Sequence, residues 1–300
     1  GKPGGRYMVT EEYYPPERLL ADGRTAFPDR VYEAVCFGYP TPAVDWEKDT
    51  VYVTTAARDN AGLWPLLLGG PDLGVTRERY ERALDEGGFN GFKVFLNWYG
   101  DNYGDKRVEE MFGPVERALA NERRLVILLH VPRSGRLADP EIHAGVRWLA
   151  RECPRAKIVL AHCGRCYLPA DMKDAIGCLR ELDNVWMDTS MVMDPLVIQI
   201  AINEIGPRRL LFGTDFPVAA MHGRRVRVFD HWVDVVAPGN PPSAFRVSGE
   251  DIHTGPMAWE IVLAIRWACE LAGVSDSERN GIFYDNGKEL LLSPYEVEVG

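Results

Sequence analysis

Short runs of apolar residues recur along the chain and alternate with stretches in which apolar residues are spaced three and four apart. Runs of four or five consecutive apolar residues are typical of strands buried on both faces of a parallel sheet. The wider spacing predicts helices that pack on such a sheet, so we predict repeated βαβ units. The predicted strands are 33–38, 64–69, 91–95, 125–130, 157–162, 184–188 and 209–215. The predicted helices are 76–86 with Thr76 as its cap, 108–123, 140–152, 169–182, 194–205 and 257–272.

Charge and composition limit the classes of function. The net charge of -10 over 300 residues argues against a nucleic-acid partner, because phosphate binding needs clustered Lys and Arg. The densest basic run, Arg224, Arg225 and Arg227, is more typical of a solvated loop. No run approaches the ~20 apolar residues that a membrane helix requires, which predicts no membrane partner. The six cysteines are too sparse for a disulfide scaffold, so we expect reduced thiols in a cytoplasmic protein.

Polar residues stand where several predicted strands end. His130, His162 and Asp215 end three of them, and Lys93 and Asp188 lie at the ends of two others. In a (β/α)8 barrel the carboxyl ends of the strands form the mouth that carries the catalytic groups. We therefore predict that residues 1–300 form a single (β/α)8 TIM barrel in which these side chains converge.

The strand count leaves one position of the barrel open. Seven good strands are found, whereas a closed barrel needs eight. The deficit falls at the beginning, because 6–10 is a poor strand bounded by glycines and acidic residues. Either strand one lies upstream of Gly1, or the barrel is open or completed in another way.

Three motifs resemble those of a known family. Leu-Leu-His130-Val-Pro, Leu-Ala-His162-Cys-Gly and Phe-Gly-Thr-Asp215-Phe-Pro are similar to motifs of the amidohydrolase superfamily, in particular its amidohydrolase-2 branch. That branch includes aminocarboxymuconate-semialdehyde decarboxylase and related decarboxylases and hydrolases. The resemblance extends from about Glu33 to Leu292.

The resemblance implies a barrel with one divalent metal, zinc or alternatively manganese. It implies that His130 is a metal ligand, that Asp215 is a ligand or proton acceptor, and that His162 is the catalytic imidazole. The family's other ligands come from a His-x-His pair at the end of strand one, and this sequence contains no such pair. Either the pair precedes Gly1 together with strand one, or this relative has lost it, which would put metal binding in doubt.

Three functions are compatible with these residues. The first is a metal-dependent hydrolase of an amide, lactone or similar small carbonyl substrate, in which the metal lowers the pKa of its bound water to about 7. The second is a non-oxidative decarboxylase of an aromatic or muconate-like acid, in which His162 protonates the carbon that loses CO2. The third, from another class, is a barrel that binds a ligand without metal. The partner is then a small molecule, and a homo-oligomer is possible.

Further residues are candidates for substrate binding. Arg133 and Arg165 follow the two histidine strands and could bind a substrate carboxylate at two points, although surface ion pairs are equally compatible with them. Lys93 is a candidate too, with a structural pairing to Asp188 as the alternative. His222 lies in the long segment 218–256, which we predict to be an irregular loop over the active-site face. The candidate pocket walls in this segment are Met221, Phe229, Trp232 and Phe245.

The pair Cys163 and Cys166 has the spacing of a redox dithiol. The preceding His162 and the surrounding barrel pattern account for the segment better. We therefore interpret the two cysteines as part of the turn that follows a strand.

Overall fold

The computed structural model describes residues 14–39, 44–70, 73–94, 103–236, 245–247, 250–252 and 254–292. The predicted weak strand at 6–10 lies outside these residues. Within them, no helix is both long enough and apolar enough to cross a membrane.

Parallel strands form the centre of the fold. Six of them are hydrogen-bonded in chain order, as the alternating pattern predicts for βαβ units. These are β3 Leu67–Leu68, β4 Gly91–Val94, β5 Val126–Leu129, β6 Lys157–Leu160, β7 Val185–Asp188 and β8 Leu210–Leu211. A separate parallel pair is formed by β1 Ala34–Cys36 and β2 Leu63–Pro65.

The parallel pair and the larger sheet are continuous through Leu66. Its N–H donates to the carbonyl of Cys36 in β1, while the N–H of Asn90, just before β4, donates to the carbonyl of Pro65. The segment 63–68 therefore carries strand pairing from β1 on one side to β4 on the other. The described residues thus contain seven consecutive parallel strand positions, in agreement with the seven predicted runs.

Helices separate the strands and cover the outside of the sheet. The bounds are α1 Pro16–Ala26, α2 Trp46–Asp59, α3 Arg77–Gly87, α4 Pro114–Glu122, α5 Pro140–Glu152, α6 Pro169–Ala175, α7 Pro195–Ile205, α8 Met257–Leu271, α9 Asp276–Asn280 and α10 Asn286–Leu292. Shorter turns lie at Val108–Glu110, Arg136–Ala138, Ile176–Leu179, Pro207–Arg209, Val218–Ala220 and Gly281–Asp285. Each strand position is followed by a helix, and α1 precedes the first strand.

Several helical predictions are corrected in detail. The predicted helix 108–123 is a short 3-10 turn followed by α4, because Gly113 and Pro114 begin a new helix. Thr76 does occupy the N-cap of α3, but its side chain makes no capping hydrogen bond. The 218–256 segment is not irregular throughout, since it contains the antiparallel hairpin β9 Gly223–Val228 and β10 His231–Val236. A shorter pair follows, β11 Phe245–Val247 and β12 Glu250–Ile252.

Side chains bring the two edges of the sheet together. The rings of Phe27 and Phe212 lie 5.8 Å apart, and those of Tyr32 and Phe216 lie 6.3 Å apart. The N–H of Phe212, just after β8, donates to the carbonyl of Ile282. These contacts place the residues around β1 next to those around β8, as closure of a barrel requires.

The core consists of the sheet residues and the inner faces of the helices. Phe92, Ile127, Leu129, Ile158 and Leu160 are almost fully buried, as expected of strands covered on both faces. The apolar faces of α5, α7 and α8 pack in the same cluster. This rigid layer fixes the positions of the strand ends, where the polar side chains lie.

Candidate active site

The two strand-end histidines are neighbours. Leu129 at the end of β5 is in register with Leu160 at the end of β6, so the residues just beyond them emerge side by side. The ring centroids of His130 and His162 are 4.9 Å apart with the rings inclined at 65°. Two imidazoles from separate strands therefore meet at the carboxyl edge of the sheet, as predicted.

Lys93 connects this pair with the carboxylates. Its side chain is 3% exposed and interacts electrostatically with Asp188 and Asp215. Burial lowers the pKa of Lys93 to about 8, and the two carboxylates oppose that shift. The positive charge of Lys93 also helps to lower the pKa of His130. His130 and Asp215 are therefore both within electrostatic range of Lys93.

His130 is held in its neutral form. Burial lowers its pKa well below the usual value for histidine, and the charges of His162, Lys93 and Arg165 act in the same direction. A neutral imidazole has a lone pair that can bind a metal ion. The environment of His130 thus favours the state that a metal ligand needs.

The imidazole ring of His162 is held through its Nδ1 by Ser190. Its Nδ1 lies 3.0 Å from the carbonyl oxygen of Ser190 and 2.8 Å from Oγ of the same residue. The backbone N–H of His162 donates to Oδ1 of Asp188 at 3.0 Å. Ser190 lies two residues beyond the end of β7, and the sequence pattern gives no sign of this contact.

Backbone strain is concentrated at these strand ends. His162 and Asp215 adopt left-handed conformations with φ of 55° and 65°, and Arg133 and Met191 after β5 and β7 do the same with 65° and 59°. Such conformations cost about 1–2 kcal/mol for residues other than glycine and tend to cluster at functional sites. Pro217, and not Asp215, occupies the N-cap position of the short helix Val218–Ala220.

Comparison with known proteins identifies the family. A family model described as amidohydrolase, Amidohydro_2, matches residues 40–291. The chain belongs to the amidohydrolase-2 family. This membership confirms the resemblance found in the three motifs and supports the prediction of an amidohydrolase-type enzyme. No curated protein sequence matches the chain.

Solved structures show that the fold of this family member is that of barrel proteins. An amidohydrolase from Burkholderia multivorans matches with a TM-score of 0.61 at 16% identity, covering 96% of this chain and 92% of that chain. A TIM-barrel protein from Bordetella bronchiseptica matches with a TM-score of 0.55 at 13% identity, covering 92% and 82%. The 5-carboxyvanillate decarboxylase of Sphingomonas paucimobilis gives 0.57 at 14%, also covering 92% and 82%. The predicted barrel class is thereby confirmed.

The kinds of donor atom in this site suit a divalent metal. His130 offers a neutral imidazole and Asp215 a carboxylate, both of which zinc binds. Among the described residues, however, no group of three or more His, Cys, Asp and Glu side chains is arranged to hold a metal ion. The chemistry of these two donors fits a divalent metal. The described part of the chain, however, brings together fewer donors than a metal site needs.

The two arginines predicted to bind substrate have protein partners. Nε of Arg133 donates to Asp139 at 2.7 Å. Nη1 of Arg165 donates to the carbonyls of Val131 and Arg133 at 3.0 and 2.9 Å. Both guanidinium groups thus stabilise the loop after β5. Binding of a substrate carboxylate by either one stays a prediction.

His222 lies at the base of the hairpin. Its Nδ1 is 2.7 Å from the carbonyl oxygen of Thr254, and its backbone pairs with Pro256. These contacts join the residues before β9 to those before α8. A substrate-binding role for His222 stays a prediction.

The Cys163 and Cys166 thiols are buried. Burial raises the pKa of Cys163 well above the usual value for cysteine and that of Cys166 to about 12. Because the thiolate is the reactive form, both groups are inert at neutral pH. This agrees with our interpretation that the barrel pattern, and not a redox dithiol, accounts for the pair.

The hairpin is anchored beside the active site by Arg225. The expectation that this arginine is solvated is wrong, because two aromatic rings cover it and leave it 5% exposed. Its guanidinium lies 4.2 Å from the ring centroid of Tyr167 and 4.1 Å from that of Trp232, and it donates two hydrogen bonds to Asp234. Tyr167 lies 6.4 Å from the ring of His162.

Two of the predicted pocket walls are also located. Trp232 contacts Tyr167, with their ring centroids 5.0 Å apart, and so lies near His162. Phe229 is 93% exposed at the tip of the hairpin and does not form a wall in this structure. The side chain of Phe245 lies outside the part of the structure that can be described.

Replacing Arg225 by alanine is expected to loosen the hairpin. The change removes the two hydrogen bonds from Arg225 to Asp234, and hydrogen bonds to charged groups contribute about 1.5–3 kcal/mol each. Hydrogen exchange of the hairpin amides measures the effect. Arg227→Ala is the matched control, because Arg227 lies 3.8 Å from Asp194 and is 47% exposed, and such pairs contribute at most about 1 kcal/mol. Equal protection of the hairpin in both variants would contradict this role of Arg225.

Proposed function

We propose that this amidohydrolase is a metal-dependent hydrolase of a small carbonyl substrate, such as an amide or a lactone. The observation that carries the proposal is the imidazole pair His130 and His162 at the mouth, with Lys93 and the carboxylate of Asp215 alongside. When bound, a divalent metal supplies a Lewis acid and an activated water in sites of this kind.

Individual residues of the chain are proposed to bind the metal, transfer protons or contact the substrate. His130 and Asp215 are the proposed metal ligands. Asp215 is also proposed to accept a proton from the attacking water. His162, whose Nδ1 contacts Ser190, is the proposed general acid or base. Arg133, Arg165, Lys93 and His222 are proposed to contact the substrate.

Non-oxidative decarboxylation is the second candidate. The Sphingomonas structural neighbour is a decarboxylase, and Lys93 offers a buried positive charge that would attract a substrate carboxylate. In this reaction His162 donates a proton to the carbon that loses CO2. Release of CO2 from candidate aromatic acids would therefore distinguish decarboxylation from hydrolysis, which produces a carboxylate instead.

Metal analysis of the purified full-length protein tests the proposal. We expect about one equivalent of divalent metal and loss of activity on chelation. Zinc is the metal that we propose, because the Burkholderia amidohydrolase has been crystallised with bound zinc; manganese is the alternative. Less than about half an equivalent, with activity unaffected by chelators, would contradict both enzyme reactions and favour a metal-free binding protein.

A further inference from the structure

In the contacts described above, Nδ1 of His162 faces only oxygen atoms of Ser190. His162 is 6% exposed and Ser190 is 5% exposed, so water does not compete freely for these contacts. The carbonyl oxygen of Ser190, 3.0 Å from Nδ1, can only accept a hydrogen bond. Nδ1 must therefore carry a hydrogen for this contact to be favourable.

The hydroxyl of Ser190 leads to the same conclusion. Its oxygen makes a very short contact with Oδ1 of Asp188, and that carboxylate oxygen also accepts the backbone N–H groups of His162 and Ser190 at 3.0 and 2.9 Å. An ionised carboxylate can only accept, so the single hydroxyl proton of Ser190 points to Asp188. The hydroxyl oxygen is then an acceptor toward Nδ1 of His162, 2.8 Å away.

We infer that Ser190 and Asp188 are positioning residues that hold neutral His162 in the tautomer with hydrogen on Nδ1. Hydrogen bonds run in one direction, from Nδ1 of His162 to Oγ of Ser190 and from that hydroxyl to Asp188. In this tautomer Nε2, on the opposite edge of the ring, carries the lone pair. The inference rests on the proposed function in one respect, namely that His162 is the catalytic imidazole.

The arrangement has a consequence for catalysis. A proton taken from water or substrate binds to Nε2, on the edge of the ring that faces away from Ser190. The imidazolium that results is stabilised by the Asp188 carboxylate through the Ser190 hydroxyl. Asp188 also accepts the backbone N–H of His162, whose φ of 55° is strained, and so fixes the position of the ring.

Nitrogen-15 NMR of histidine-labelled protein tests the inference directly. The two neutral tautomers give distinct shifts for Nδ1 and Nε2, and the His162→Gln variant identifies the signals of His162. We expect neutral His162 to show a protonated Nδ1 and an unprotonated Nε2. The opposite pattern would overturn the inference, whatever the activity of the protein.

Variants of Ser190 complete the test. Ser190→Ala removes one of two acceptors of Nδ1–H, and we expect the ratio of tautomers to shift by about 2- to 10-fold toward Nε2–H. We expect kcat to fall by about 2- to 10-fold as well, because the lost hydrogen bond holds the ring in the competent tautomer. Ser190→Thr keeps a hydroxyl and should retain the wild-type tautomer ratio and kcat. Ser277→Ala, at an exposed serine, should change neither the ratio nor kcat.

The outcomes separate this inference from the proposed function. An unchanged tautomer ratio and unchanged kcat in Ser190→Ala would overturn the positioning role. If the wild-type tautomer is as expected but His162→Ala retains activity, the proposed function fails and the assignment of the tautomer stands. Thermal unfolding of each variant establishes that the compared proteins are folded.

Discussion

Replacing His162 by alanine is expected to lower kcat by about 10²- to 10⁴-fold, the usual contribution of a general acid or base. Most of the bound metal should remain, because His162 is proposed to lie outside the set of metal ligands. His130→Ala should lose both metal and activity, since it removes an imidazole donor. Turnover assays together with metal analysis of both variants measure these effects.

A surface histidine provides the control. His231 is 83% exposed and lies on the hairpin, so His231→Ala should leave both metal content and kcat near wild-type values. Near-normal turnover in His162→Ala would show that the catalytic imidazole is misassigned. Full metal content in His130→Ala would exclude this residue as a ligand.

Replacing Lys93 by methionine is expected to stabilise the metal-free protein by about 3 kcal/mol near pH 7. Burial lowers the pKa of Lys93 from 10.5 to about 8, and each pKa unit corresponds to about 1.36 kcal/mol. The charged lysine is therefore destabilising in the folded state. Methionine fills a similar volume without a charge.

The gain should disappear with rising pH. Between pH 8 and 10.5 the folded protein has released the proton of Lys93 while the unfolded chain still binds it, so the wild type becomes more stable relative to the variant. Denaturant unfolding of both proteins across this range gives the difference in unfolding free energy. Lys173→Met, at an exposed lysine, should show no such trend. A pH-independent difference for Lys93→Met would contradict the lowered pKa.

The strands could be predicted because their burial leaves a direct mark on the sequence. Most strands of the sheet are apolar runs, and polar residues at the ends of five of them mark the mouth. The proximity of His130 and His162 followed from this, because β5 and β6 are consecutive along the chain and therefore adjacent in a parallel sheet.

Among the helices that were not predicted, α1 and α2 were missed for local reasons. Helix α2 contains the β-branched residues Val51, Val53, Thr54 and Thr55, which favour strands over helices. Helix α1 contains Gly23, which lowers helix propensity. Packing of Val53 and Ala26 in the interior outweighs these weak preferences.

The environment of individual side chains could not be predicted, because it depends on contacts between distant segments. Arg225 stands in a basic run that is typical of a solvated loop, yet Tyr167 and Trp232 enclose it. Ser190 lies only two residues beyond a strand, but its hydrogen bond to His162 joins two different strands. The sequence pattern predicts the secondary structure of a residue's own segment. It does not predict which side chains from other segments will contact that residue.

The histidines and the carboxylate at the active-site mouth are held in place by different kinds of contact. His130 and His162 are carried by strands joined by a regular hydrogen-bond ladder, so the spacing of the two rings is stiff. Asp215 instead follows β8, whose far edge is joined to the residues around β1 by aromatic rings. Among the described residues, no hydrogen-bond ladder joins β8 to β1. We therefore expect the distance from the carboxylate to the imidazoles to vary more than the distance between the two imidazoles.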